Sequence, residues 1–222
     1  MEPDVIRVMR EFKARLLREE AAQMAVMARR YAEIEDGMKP LMESLAEEIA
    51  REGKKIDERK LYQMERYQRL LRQVQRELAD FEGWAAAEIG SEQLRLARLG
   101  IADAAAATQA SYTGVGAFFD VLPVSAIQNM VGLAGDGSPL SALLRGLGAE
   151  TADAITRQLI RGTALGWNPR RVAEEMAKGG RVGLQRSLVI ARTEGLRVYR
   201  EAGRQQYQQS GVVEGFYRLS AH

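Results

Sequence analysis

The chain of 222 residues contains no cysteine. Disulfides and thiolate metal ligands are therefore excluded from it. Histidine is nearly as scarce: the one example is His222, the last residue. A Ser-His-Asp or Cys-His constellation cannot be assembled without an internal imidazole, so catalysis of that kind is not expected. Aromatic residues are few, at 6%, and no uninterrupted apolar run approaches the ~18 residues that a membrane-spanning helix needs. The most apolar segment, residues 115–134, is interrupted by Asp120, Pro123, Gln128 and Asn129, and is expected to be a buried helical hairpin or loop. The opening MEPDVIRVMREFK mixes both signs of charge and lacks the apolar core of a signal peptide. There is no phosphate-cradling GxxxxGK[ST] loop, and acids do not recur at metal-ligand spacing. No cofactor, no metal, no membrane partner and no enzymatic activity are expected.

What the chain does have is helix-forming composition, dominated by Ala, Leu, Arg, Glu and Gln. The fold class expected is mostly α. It comprises a long N-terminal helical hairpin or bundle and a helical core that ends in a short β segment. The boundary is placed between residues 1–111 and 112–222. Ile6, Met9, Phe12, Leu16, Leu17, Met24, Met27, Tyr31 and Ile34 recur at steps of mainly three and four, the signature of one buried helix face. Asp36-Gly37 is expected to end that helix, and Pro40 to open a shorter one reaching about Gly53. A third is expected from Ile56 to Ile89, with Leu61, Met64, Tyr67, Leu71, Val74, Leu78, Phe81, Ala85 and Ile89 inside. An alanine-rich tract, residues 102–110, follows and suits close helix packing. Ser138-Pro139 and Asn168-Pro169 each read as a cap followed by proline at the first helical position.

The stretch GLQRSLVIARTEGLRVYREAGRQQYQQSG, residues 183–211, reads as one amphipathic helix. Leu184, Leu188, Ala191, Gly195, Tyr199 and Ala202 share a face, which Val182, Val189 and Leu196 widen. Glu194 precedes Arg197 by three residues, as Glu201 does Arg204, a spacing that lets each pair meet. Gly211 suits a left-handed C-terminal cap. Residues 212–219, with Phe216 and Tyr217, favour a strand.

These same residues carry a resemblance. Ala191, Arg192, Thr193, Glu194, Tyr199, Arg200, Tyr207, Gly211, Val212 and Phe216 resemble the C-terminal core of the phage head-morphogenesis (minor head, or minor capsid, protein) family. Upstream, Arg161, Gly162, Gly166, Asn168 and Pro169 are similar to it as well. The resemblance covers the chain from about Tyr112 onward. It implies a structural, low-copy role in head assembly, with docking on a portal protein or other head proteins, assistance in DNA packaging or delivery, and membership of an oligomeric assembly. The place implied is the virion (the phage head interior), or the host cytoplasm during assembly. Family members usually continue into an Asp-containing, Arg-Thr-Cys-like segment, so the core is expected to be cut short at His222. The structural motif implied is Arg192, Thr193, Glu194, Tyr199 and Gly211.

Charge is unevenly spread. Between Arg157 and Arg218 stand twelve basic residues against five acidic ones, although the whole chain is only +2. Arg170, Arg171, Lys178, Arg181 and Arg186 cluster around Gly179-Gly180 and form a candidate contact for phosphate or an acidic partner. Any DNA contact they make would be insensitive to sequence. Two other readings stay open: a toxin-like transferase using Arg192 and Glu194, and a generic helical protein-protein adaptor using the N-terminal hairpin.

Overall fold

The computed structural model describes residues 4–52, 58–111 and 124–211, together with 213 and 215. The fold is mostly α. Among the described residues eight helices follow one another: α1 (Asp4–Arg51), α2 (Glu58–Gln63), α3 (Glu65–Ser111), α4 (Val124–Gln128), α5 (Leu140–Leu144), α6 (Leu147–Ala164), α7 (Pro169–Gly180) and α8 (Val182–Gln209). Among the described residues the sole β feature is an isolated antiparallel bridge between Leu133 and Pro139. The strand expected over 212–219 lies almost wholly outside the described residues.

Two expected breaks are absent. α1 runs unbroken through Gly37 and Pro40, and α3 runs on past Ile89 to Ser111. Burial explains the first. Met27, Tyr31, Ile34, Met38, Met42, Leu45 and Ile49 are all at most 5% exposed, a stripe that keeps its three-and-four stepping across the proline. Proline inside a helix forfeits one backbone hydrogen bond; three large side chains beyond it, Met42, Leu45 and Ile49, outweigh that loss.

The chain divides into two compact units, and neither coincides with 1–111 or 112–222. Unit 1 takes Met1–Gln23, Ala87–Leu140 and Ala191–His222; unit 2 takes Met24–Ala86 and Ser141–Ile190.

In unit 2, α1 and α3 run antiparallel. Tyr31 meets Phe81 edge-on with ring centroids 5.2 Å apart, while Arg66 reaches Ser44 Oγ (2.7 Å) and Glu48 (3.1 Å). The α3 stripe is Tyr67, Leu70, Val74, Leu78, Phe81 and Ala85; Leu70 rather than Leu71 is fully inside. α6 and α7 pack on each other and bury Ile155, Leu159, Val172 and Met176. The start of α6 has no side-chain cap of its own. Glu82 of α3 fills the role by accepting the Leu147 N–H at 2.9 Å, placing a carboxylate at the positive end of the helix dipole. Asn168 caps α7 as expected, accepting the Arg171 N–H at 2.9 Å, with Pro169 at the first position.

In unit 1, α1 and α3 are again antiparallel, linked by Arg15–Asp103 and by Arg95–Glu19 (2.6 Å). Ala97, Ile127, Met130, Val198 and Ala202 form a buried cluster. α8 lies against α3 so closely that a Cβ on Gly100 would stand 2.3 Å from the Tyr199 carbonyl oxygen. The α8 face that packs keeps Ala191, Gly195 and Ala202 of the expected one buried and adds Glu194, Val198 and Gln206. In the stretch of α8 that belongs to unit 2, Ser187 is buried whereas Val189 is 64% exposed. Ile6, Met9 and Leu17 of α1 are likewise about half exposed. Ser138 does not cap a helix: its N–H and hydroxyl both donate to Asp136 Oδ1 (2.9 and 2.7 Å). The expected left-handed end of α8 is present, with Gly211 at φ +66°.

Two glycine substitutions should diverge in sign. Gly100→Ala is expected to destabilise the protein by about 1–3 kcal/mol through overpacking against α8. Gly37→Ala, at an α1 position with nothing within 4 Å of the new Cβ, should stabilise by about 0.5–1 kcal/mol from helix propensity. Denaturant unfolding followed by circular dichroism reads both.

Candidate functional site

The motif residues of α8 act as fasteners within unit 1. Arg192 is exposed, with its Nε 2.9 Å from Glu20 of α1. Thr193 is exposed on the same turn. Glu194 is buried at 8% exposure and accepts from Arg197 Nε at 2.7 Å. Arg197 then donates through Nη2 to the Leu133 carbonyl at 2.7 Å. From α3, Gln93 grips the same loop: its Nε2 donates to Leu133 O (3.1 Å) and its Oε1 accepts from Gly132 N (2.8 Å). Glu194 thus orients a guanidinium whose other end satisfies a loop carbonyl, a use that suits the planar fork of arginine. The surface pair Glu201–Arg204 forms as the spacing suggests, at 2.6 and 2.9 Å.

The basic residues around Gly179-Gly180 all lie in unit 2, and four of the five meet a carboxylate. Arg181 makes a two-pronged contact with Glu35 at 3.0 and 2.9 Å. Arg186 pairs with Glu150 and donates to the Leu143 carbonyl at 2.9 Å. Lys178 pairs with Glu175 at 2.6 Å and Arg170 with Glu174 at 3.4 Å. Arg171 stacks over the Trp167 ring, 4.2 Å from its centroid. Arg181 and Arg186 hold the fold together. Arg170, Arg171 and Lys178 remain exposed on α7, and the seven-residue spacing of Arg171 and Lys178 puts those two on one side.

Pattern reading missed a second feature, a cleft of about 540 Å³ in unit 1. Its buried side is Gly100, Asp103 and Ala104; its half-buried walls are Phe12, Tyr199, Gly203 and Tyr207; Met9, Arg200 and Arg204 are its exposed rim. Asp103 is 3% exposed. Its Oδ1 accepts from Arg15 Nη2, and its Oδ2 accepts from the Tyr199 hydroxyl at 2.8 Å. The Arg15 guanidinium also sits 5.4 Å from the Phe12 ring centroid. A carboxylate so enclosed needs both partners, because an unpaired buried charge is costly. Neither Arg192 nor Glu194 lines this cleft.

The Tyr199 phenol is pushed well above its ordinary value, first by burial and then by its hydrogen bond to Asp103 and that carboxylate's charge. Burial raises Tyr207, with Asp103 adding to it. Among the described residues no group of three or more His, Cys, Asp or Glu could hold a metal ion, and no helix is long and apolar enough to cross a membrane. No family model, no curated protein and no solved structure matches the chain.

The phenol shifts fix an alkaline behaviour. A folded-state value raised above the ordinary 10.0 of a phenol means that the native state binds the Tyr199 proton more tightly than the unfolded chain does. Its contribution to stability is complete below about pH 10 and is lost as pH rises toward the folded value. Native protein should ionise Tyr199 only at higher pH than guanidinium-unfolded protein. Tyr199→Phe should remove that late step from a tyrosinate absorbance titration; a titration unchanged by the substitution would refute the assignment.

Proposed function

We propose that the chain is a structural minor head protein of a phage or prophage, acting in head assembly and in DNA packaging or delivery through contacts with a portal protein or other head proteins. The observation that carries this reading is the use to which the family-like motif is put. Arg192 bridges α8 to α1, Glu194 sets the arginine that holds a loop, the Tyr199 hydroxyl donates to the buried Asp103, and Gly211 ends α8. All four shape and fasten a helical body, as a part that works by contact requires.

Contact with DNA belongs to the same proposal in a narrower form. Arg181 and Arg186 are tied to Glu35 and Glu150 of other helices, whereas Arg170 and Lys178 pair only with exposed or half-buried neighbours along α7 and Arg171 stacks on Trp167, so these three are the ones to meet phosphate. Three such contacts give weak, salt-dependent binding that ignores base sequence.

Two measurements test the proposal. Deleting the gene from a phage or inducible prophage that encodes it should yield heads that are poorly filled or non-infectious; normally filled, infectious heads would sink the reading. Reversing Arg170, Arg171 and Lys178 to glutamate should abolish duplex retention at low salt without unfolding the protein, because none of the three is buried. Retention equal to that of the unaltered protein would remove DNA from the proposal and leave the head-protein role standing.

A further inference from the structure

We propose that the cleft of unit 1 binds a small amphipathic anion, a hydrocarbon chain or ring bearing one carboxylate, with Arg200 taking the carboxylate. Size comes first. A cavity of about 540 Å³ falls within the range of roughly 300–1,000 Å³ typical of small-molecule sites. The lining comes second. Met9, Phe12 and Ala104, with the rings of Tyr199 and Tyr207, present mostly hydrocarbon, which favours an apolar body.

The charges then select its head group. Asp103 lines the cleft, yet both its oxygens are engaged, by Arg15 and by the Tyr199 hydroxyl. It therefore neither repels an anion strongly nor offers a free acceptor to a cation. Arg204 is held by Glu201 through two hydrogen bonds, 2.9 and 2.6 Å. Arg200 differs from both: it is exposed at the cleft and, among the described residues, makes no hydrogen bond or ion pair. Counting Arg15 with Asp103 and Arg204 with Glu201 leaves one uncompensated positive charge beside an apolar hollow. One guanidinium matches one carboxylate in planar, two-pronged geometry. A nucleotide or other polyphosphate would need several donors, and this lining does not supply them. The inference rests on the cleft alone and does not depend on the head-protein reading.

Decanoate, decanol and decyltrimethylammonium share a chain and differ in head charge, so isothermal titration of the full chain with each decides the matter. Decanoate is expected to saturate at one molecule per chain and to bind more tightly than the cation. Arg200→Ala should weaken decanoate about tenfold, the scale of one charge-assisted contact, and leave decanol unchanged. Met9→Trp, a rim substitution at an exposed position, should obstruct the cleft and weaken both. Both positions are exposed, and circular dichroism of each variant should match the unaltered protein. Non-saturating uptake of decanoate would overturn the proposal. So would cation binding as tight as that of decanoate, or decanoate affinity indifferent to either substitution.

Discussion

At Gly100 the backbones of α3 and α8 approach more closely than any side chain would allow, with the site of a Cβ only 2.3 Å from the Tyr199 carbonyl. On α8, a Cβ on Gly203 would in turn stand 3.3 Å from the Gly100 carbonyl oxygen. Once two helices are this near, the residues one turn away have little freedom. Asp103 is carried to the Tyr199 hydroxyl, and Arg15 of α1 closes on the other carboxylate oxygen. The contact therefore brings together three segments widely separated in the chain, and it shapes the hollow beside them. A larger residue at position 100 would separate the helices and dissolve the network together with the cleft.

The two units solve the same problem by different means. Unit 2 is held by a thick apolar seam of methionine, leucine and ring side chains, with polar groups used at helix ends: Tyr31 donates to the Gly180 carbonyl at 2.5 Å, and Glu82 caps α6. In unit 1 the facing residues are small, and alanine and glycine allow close helices at the cost of apolar volume. Polar residues take up more of the work there. Gln93, Asp103, Glu194 and Gln206 are all buried, and each of the first three is tied to a partner on another element or to the arginine that reaches one. Partnered polar groups of this kind specify one arrangement, because any other leaves a buried group unsatisfied.

How much of this was legible in the sequence follows from the same contrast. The seams of α1 and α3 in unit 2 are apolar and periodic, so Met27, Tyr31, Ile34, Tyr67, Val74 and Leu78 could be placed inside from spacing alone. Local chemistry also located the Asn168 cap and the left-handed Gly211. The helix break at Gly37 and Pro40 was misplaced because punctuation residues were weighed without the burial that overrides them. On α8 the expected face holds at Ala191, Gly195 and Ala202 and misses the polar residues beside it. Ser187, Glu194 and Gln206 do not register as interior to a hydrophobicity pattern, whereas the exposed Val189 does. The cleft was invisible for a further reason. Asp103 and Arg15 are 88 positions apart, and nothing in either neighbourhood announces the other. The alanine-rich tract did announce close packing, which was the one available sign of the place where the hollow lies.

The order of the segments has a consequence for synthesis on the ribosome. Unit 2 is complete once Ile190 has been made, whereas unit 1 joins residues at the start of the chain to residues that follow Ala191. Its contacts join segments more than 170 residues apart, as Arg192 and Glu20 do, and such long-range closures form slowly. Glu20 and Arg15 of α1 must therefore wait for Arg192 and for the Asp103–Tyr199 pair until residues 191–209 have been made. In the nascent protein unit 2 can gather first, while unit 1 closes only after α8 has emerged from the exit tunnel.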